Sequence, residues 1–339
     1  MTPLVRAAAL TNFAELARSF NLDPLRLMSE VGLQPRVLDE PDLRIPAERV
    51  GELLERAAAL SGCESFGLRM AETRQLSALG PVGMLIREQP TLRDSLAVLL
   101  RFHVALNGGI VLVIEEEAGV VVIREEVVTG HSGPIRQAIE LAVGVVLRLM
   151  RQFLGPDWRP RRVCFTHDAA RDIATHLRVF GPCVEFRHDF NGIVCGRADL
   201  DTVNPSADPA MARYAQQLLD ASLSEQVATP RTLDDVRRTA LLLLPSGRCS
   251  IEQVADQLGL ACRTVQRRLS EQGTSFSNLV NDLRVELAQR HVQGSARPLT
   301  DVAALLGFSA PSGFSRWYQG QFGCSPTQAR QRQRPTAGL

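Results

Sequence analysis

The spacing of apolar positions changes along the chain, and each change marks a part of its architecture. Over the first hundred residues apolar side chains recur at three- and four-residue intervals, which predicts helices at 2–20, 23–31, 46–60, 81–88 and 92–106. Gly32, Pro41, Gly62 and Pro90 punctuate them. The period then shortens. Residues 110–114 (IVLVI) and 120–124 (VVVIR) are β-branched runs around EEEAG, which reads as a hairpin. A long helix is expected over 134–154, a strand over 162–166, a helix over 172–180, and a second hairpin-like pair from 184–187 and 192–195. Helices mixed with short, mostly antiparallel strands indicate an α+β domain ending near Asn204.

Asn204-Pro-Ser-Ala-Asp-Pro209 is turn-rich, 210–223 reads as a helix, and the polar segment 222–232 reads as a linker. Beyond Thr232 the β signals vanish and the chain is helical throughout. The expected organisation is therefore an α+β sensing or dimerisation domain at 1–204 and a helical linker at 205–232. An all-α domain at 233–332 and a disordered tail at 333–339 follow.

The all-α part contains an internal repeat. IEQVADQLGL (251–260) aligns with LTDVAALLGF (299–308), so that Ile251 matches Leu299, Val254 Val302, Ala255 Ala303, Leu258 Leu306 and Gly259 Gly307. Apolar residues spaced in this way before a glycine describe a short amphipathic helix with a left-handed end. Ser250 and Thr300 lie where N-caps are expected. A second helix follows each copy after a short turn, which is the helix-turn-helix pattern, present twice.

The second helix of the first copy is CRTVQRRLSEQG (262–273). At 100° per residue, Cys262, Val265 and Leu269 share one side, while Arg263, Gln266, Arg267 and Ser270 share the other. Arg268 lies on the flank, where it suits a phosphate or solvent. In the second copy Pro311, Phe314 and Tyr318 are expected inward, and Ser312, Ser315, Arg316 and Gln319 outward. A lone basic helix is usually a solvated face. Two outward faces able to hydrogen-bond base edges, each on the second helix of its unit, are what major-groove recognition requires. Residues 276–292 read as one longer helix joining the copies, a length that sets them about one turn of DNA apart, roughly 34 Å.

Charge supports this division. The formal net charge is only +1, yet from Leu233 onward thirteen Arg face eight Asp plus Glu, a net of +5, leaving −4 for the rest. Basic charge at one end suits a polyanion-binding module joined to a mildly acidic partner domain. All 38 basic residues are Arg, which reflects compositional bias more than chosen guanidinium geometry. The seven cysteines show no C-x-x-C pair and read as free thiols in a reducing cytoplasm. The longest apolar run, 138–150, contains Glu140 and Arg148 and is too short for a membrane span.

The sequence resembles a known family. RTVQRRLSEQGTSF (263–276), LRVELAQRHV (283–292), DVAALLGFSAPSGFSRWYQGQFGCSP (301–326) and the following TQAR closely resemble the DNA-binding domain of AraC/XylS-family bacterial transcriptional regulators. GLQPRVLDEPDLRIP (32–46), FGLRMAE (66–72), LGPVGMLIREQPTLRDSLAVLLRF (79–102) and FLGPDWRPRRVCFTH (153–167) resemble the arabinose-binding-type effector domain of one branch. The resemblance implies a cytoplasmic regulator that binds double-stranded promoter DNA. It also implies a homodimer, a small-molecule effector, and a surface for RNA polymerase if the protein activates. Arg263, Gln266 and Arg267 would be base or phosphate contacts of the first copy, and Ser312, Ser315 and Arg316 of the second. Arg284 would be a structural tie in the linking helix. Two departures weaken the second copy: Gln319 stands where the family is usually basic, and Gly313 is a poor helix former.

Enzymatic readings find little support. His103, His131, His167, His176 and His188, with Asp172 or Asp189, form no triad or metal spacing, so satisfied or exposed histidines are expected and no catalytic residue, cofactor or metal. A thiol sensor built on Cys183 and Cys195 is a minor alternative. The main alternative is a DNA-binding regulator whose first domain only dimerises or binds protein. It predicts a filled interior where an effector domain has a pocket with a few converging polar groups.

Overall fold

The structure is a computed structural model that describes residues 3–128, 133–223, 233–244, 247, 249–293 and 298–333. The linker segment 224–232, His131 and tail residues 334–339 lie outside the described residues. The chain divides into two compact units, one of residues 1–130 and 135–228 and one of residues 131–134 and 229–339.

In the first unit, the single helix expected over 2–20 is instead three elements. β1 (Leu4–Arg6) pairs antiparallel with β2 (Arg44–Pro46), Val5 opposite Ile45. A 3-10 turn (Ala7–Leu10) follows, and α1 (Phe13–Ser19) begins only after Asn12, whose φ of 68° is left-handed and ends any continuous helix. A three-residue strand with one inward Val looks like part of a helical stripe, which is why the periodicity misleads here.

Helices α2 (Pro24–Glu30), α3 (Ala47–Ser61), α4 (Phe66–Thr73), α5 (Pro81–Arg87) and α6 (Leu92–Leu106) come next. The Asp23 carboxylate caps α2 by accepting from Leu25 N at 2.9 Å, and the Thr91 hydroxyl caps α6 by accepting from Asp94 N at 3.1 Å. Then come β3 (Ile110–Glu117), β4 (Val120–Val127), α7 (Arg136–Leu154), β5 (Arg162–Cys164) and α8 (Ala174–Phe180). β6 (Val184–Glu185), β7 (Asn191–Gly196), α9 (Arg197–Leu200) and α10 (Pro209–Leu223) complete the unit.

The main sheet runs β3-β4-β7-β5-β6. β6 and β7 are therefore not a hairpin: β6 pairs parallel with β5, while β7 lies antiparallel between β4 and β5. Strand order of this kind is set by packing, not by the local turn. α7 covers the sheet, and α3 and α4 lie on α7. The α4–α7 crossing is close enough that a Cβ on Gly67 would come 2.0 Å from the Gln137 carbonyl oxygen. α10 packs its buried Ala215 and Leu219 onto this unit against α5, and the Asn204 amide donates to the carbonyls of Arg87 and Gln89.

The second unit is all helical among its described residues: α11 (Leu233–Leu243), α12 (Ile251–Gln257), α13 (Cys262–Glu271), α14 (Phe276–Ala288), α15 (Leu299–Leu305), α16 (Pro311–Phe322) and α17 (Pro326–Gln333). The linking helix expected over 276–292 ends at Ala288 and passes into a π-helical turn, Gln289–Gln293. Arg330 donates to the carbonyls of Val292 and His291, which ties α17 to that turn. Arg237 on α11 meets Glu286 of α14 at 2.6 Å.

Candidate functional site

The first helix-turn-helix is α12 and α13. The Ser250 hydroxyl accepts from Gln253 N at 3.3 Å, capping α12 as expected. Val254 and Ala255 of α12 and Val265 and Leu269 of α13 are buried, so α13 is held by two aliphatic side chains on its inner face. Cys262 is half-buried. Arg263, Gln266, Arg267 and Ser270 are exposed on the opposite face, and Arg268 is half-exposed on the flank. Arg267 sits 3.5 Å from Glu271, an exposed i,i+4 pair that costs little to break.

The second helix-turn-helix is α15 and α16, and its cap is not Thr300. α15 begins at Leu299 with Pro298 at the cap position, and the Thr300 hydroxyl instead reaches the Asp301 carboxylate. Gly307 ends α15 at φ +71°, with a would-be Cβ 2.7 Å from the Leu244 carbonyl oxygen. Pro311 is exposed, not inward: it opens α16 at its first turn, where its missing N–H has no helical partner to lose. Phe314 and Tyr318 are buried, while Ser312, Ser315, Arg316 and Gln319 are exposed.

Two ties fix this second unit. Arg284 of α14 donates to the Leu306 carbonyl at 3.0 Å and lays its guanidinium over the Phe308 ring at 4.5 Å, with burial holding its pKa below the usual arginine value. The Trp317 indole N–H donates to Asn281 Oδ1 at 2.7 Å, and its ring stands 5.4 Å from Phe308. Trp317 and Asn281 were not singled out by spacing. A large aromatic on the flank of a recognition helix, facing an amide on the linking helix, is the signal that was there to find.

The first unit contains a cavity of about 140 Å³. α3, α6, α7, β3 and β4 wall it mainly with Ala, Val, Leu and Ile, among them Val50, Leu99 and Val146. Its polar wall residues are Arg6, Arg74, His103, Asn107 and Glu125. Arg6 is paired with Asp42 at 2.6 Å, and Arg74 Nη2 donates to the carbonyls of Ala8 and Ala9, with burial lowering its pKa to about 10. Glu125 is 2% exposed, Oε1 has no hydrogen-bond partner among the described residues, and burial raises its pKa to about 8. The reading of 120–124 as the strand stopped one residue before it. β4 runs to Val127, and its buried alternation Val121, Ile123, Glu125, Val127 places a carboxyl in the middle of an apolar series.

Two further groups appear elsewhere in this unit. His176 Nε2 is 2.9 Å from Glu140 Oε1 and His167 Nε2 is 3.5 Å from it, all three largely buried. Burial lowers the His167 pKa to about 4, so it is neutral near pH 7. His176 Nδ1 and Glu140 Oε2 have no hydrogen-bond partner among the described residues, so these histidines are neither exposed nor fully satisfied. Ligand atoms of Cys164, Glu185 and His188 come within 4.8 Å of one another, a juxtaposition created by the β5–β6 pairing and invisible in the spacing. Burial pushes the Cys164 and Cys195 thiols up to about 12 and raises Cys183, which keeps them protonated and poorly nucleophilic.

Comparison with known proteins agrees with this geometry. The family described as the arabinose-binding domain of AraC transcription regulators, N-terminal, matches residues 22–204, and a helix-turn-helix domain family matches residues 254–332. The chain is 29% identical over 332 residues to the HTH-type transcriptional regulator VirS of Mycobacterium tuberculosis, covering 96% of each protein. It is 25% identical over 335 residues to the ornithine utilization regulator of Pseudomonas aeruginosa, covering 98% of this chain and 96% of that one. It is 36% identical over 81 residues to the transcriptional activator RhaS of Escherichia coli, a match confined to 24% of this chain and 29% of the relative. Among the described residues no helix is long and apolar enough to cross a membrane. With an arabinose-binding-type domain over more than half its length and a duplicated helix-turn-helix after it, the chain belongs to the AraC family of DNA-binding transcriptional regulators and is not an enzyme.

Proposed function

We propose that the first unit binds a small-molecule effector and that its occupancy controls how the second unit engages promoter DNA. The carrying observation is the 140 Å³ cavity, apolar with a few polar groups turned into it, where a domain serving only for assembly has a filled interior. In this reading residues 1–204 sense, 205–232 connect, and 233–332 recognise DNA. Arg263, Gln266 and Arg267 contact base edges of one half-site, and Ser312, Ser315, Arg316 and Gln319 those of the next. Arg268 contacts a phosphate. The exposure of these side chains on two second helices supports the assignment.

Activation through a contact with RNA polymerase is the favoured mode, supported by the match of the second unit to a relative named as an activator. Homodimerisation is supported by Met211, Tyr214 and Leu218, an exposed apolar stripe on α10 at helical spacing. The site of action is the bacterial cytoplasm, on the nucleoid. The test is a thermal-shift screen of the full chain against amino acids, amines, fatty acids and aromatic acids, with operator affinity measured for each hit. At least one class should stabilise the chain and change its affinity for the operator. A chain stabilised by none has a first unit that only mediates assembly.

A further inference from the structure

The position of Glu125 narrows the effector's chemistry, an inference that rests on the effector reading above. Its carboxyl stands in register with Leu112 of β3 and Asn191 of β7, on the buried face of β4. Four nearby donors, Arg124, the Asn191 amide, Arg6 and Arg74 Nη2, make contacts elsewhere. Arg124, next in sequence, alternates to the other face, where it meets Glu115 at 2.9 Å and covers Phe190. The Asn191 amide donates to Glu126. Arg6 holds Asp42, and Arg74 spends its Nη2 on backbone carbonyls. A carboxyl placed against an apolar cavity without a partner costs stability, and a hydroxyl there would serve a neutral ligand at far lower cost. What the carboxylate alone offers is a full negative charge in a low-dielectric wall, which favours one type of guest.

We propose that the effector is a compact apolar molecule carrying a protonated amine, whose ammonium group sits on the Glu125 carboxylate. The size of the guest follows from the cavity. A dry cavity of about 150 Å³ accommodates benzene, so 140 Å³ suits a body of that order bearing a short amine arm.

The proton balance makes the inference sharp. In the empty cavity burial raises Glu125 to about 8, so near pH 7 the carboxyl is mostly protonated. An alkylammonium binds as the cation and Glu125 releases its proton to solvent, so one proton leaves on binding below pH 8. The other charged or titratable wall groups are Arg6 from β1, Arg74 from the segment after α4, and His103 from α6; α3, α7 and β3 contribute only apolar side chains.

The experiment uses the full chain and three probes of one shape: benzylamine, benzyl alcohol and benzoate. Benzylamine should raise the melting temperature most. Its affinity should rise about tenfold per pH unit from pH 6 toward 8 and level off by pH 9. Glu125→Gln should abolish that slope and weaken benzylamine at least about tenfold at pH 8.5. The isosteric amide removes a buried ionisable group, so the variant should melt no lower than the parent at that pH. Benzoate or benzyl alcohol binding as well as benzylamine, or a slope that survives in Glu125→Gln and so belongs to His103, overturns the inference. If only amine-free members of the wider screen bind, the amine is wrong while the effector reading stands. If nothing binds, the effector reading itself fails.

Discussion

The two recognition helices solve opposite halves of one problem. α13 carries three arginines and a glutamine around its outer side but rests on two aliphatic residues, Val265 and Leu269. α16 exposes two serines, one arginine and two glutamines and contains two glycines, yet it is fixed by Phe314, Tyr318, Trp317 and Phe308, by Arg284, and by the Trp317–Asn281 hydrogen bond. The charge-rich helix is lightly anchored and the charge-poor helix is heavily anchored. Phosphate attraction can draw a loosely held helix into a groove. A helix with little charge gains affinity only if its geometry is fixed beforehand.

The largest expected effect breaks the anchor of α16. Phe314→Ala should cost about 3–5 kcal/mol of second-unit stability, against about 2 kcal/mol for Val265→Ala, where two methyl groups are lost. Denaturant unfolding of the full chain measures both, and the protected operator segment should shrink to one half-site for Phe314→Ala. A costlier Val265→Ala would invert the comparison. Next in size, Arg263→Ala and Arg267→Ala should each cost about 1–3 kcal/mol of specific affinity and relax base preference at particular positions. Arg268→Ala should weaken all sequences alike and lower the salt dependence by about one unit. If Arg263 and Arg267 follow the Arg268 pattern, the outward face of α13 holds phosphates and does not discriminate bases.

The second unit was far more legible in the sequence than the first. α12, α13, α15 and α16 are short, local and followed by glycines, so spacing marks them, and the repeat between 251–260 and 299–308 supplies an internal check. Errors fell where a local rule met a tertiary one, as at Pro311, counted inward by its angle but exposed at the helix start. In the first unit the placement of β6 beside β5 instead of β7 could not be read because parallel β5–β6 pairing joins segments about twenty residues apart. Glu125 was hidden for a different reason. Its alternation with Val121, Ile123 and Val127 is in the sequence, but an acidic residue looks like the end of a strand until the fold shows that the strand continues through it.

The smallest effect bears most directly on why α16 needs so many anchors. Gly313 lies inside that helix, and the nearest atom to a would-be Cβ is a Phe308 ring carbon at 3.7 Å, an ordinary contact. Gly313→Ala should therefore stabilise the second unit by about 0.5–1 kcal/mol through helix propensity alone. Gly307→Ala, forced into a left-handed backbone against the Leu244 carbonyl, should destabilise by about 1–3 kcal/mol. If the anchors exist to order a weak helix, Gly313→Ala should also tighten binding to the second half-site, in footprinting, by up to about fivefold. A variant that gains stability but loses affinity gives the opposite answer: the bare Cα of Gly313 then lets the DNA backbone approach, and the aromatic anchors compensate for a glycine that recognition itself requires.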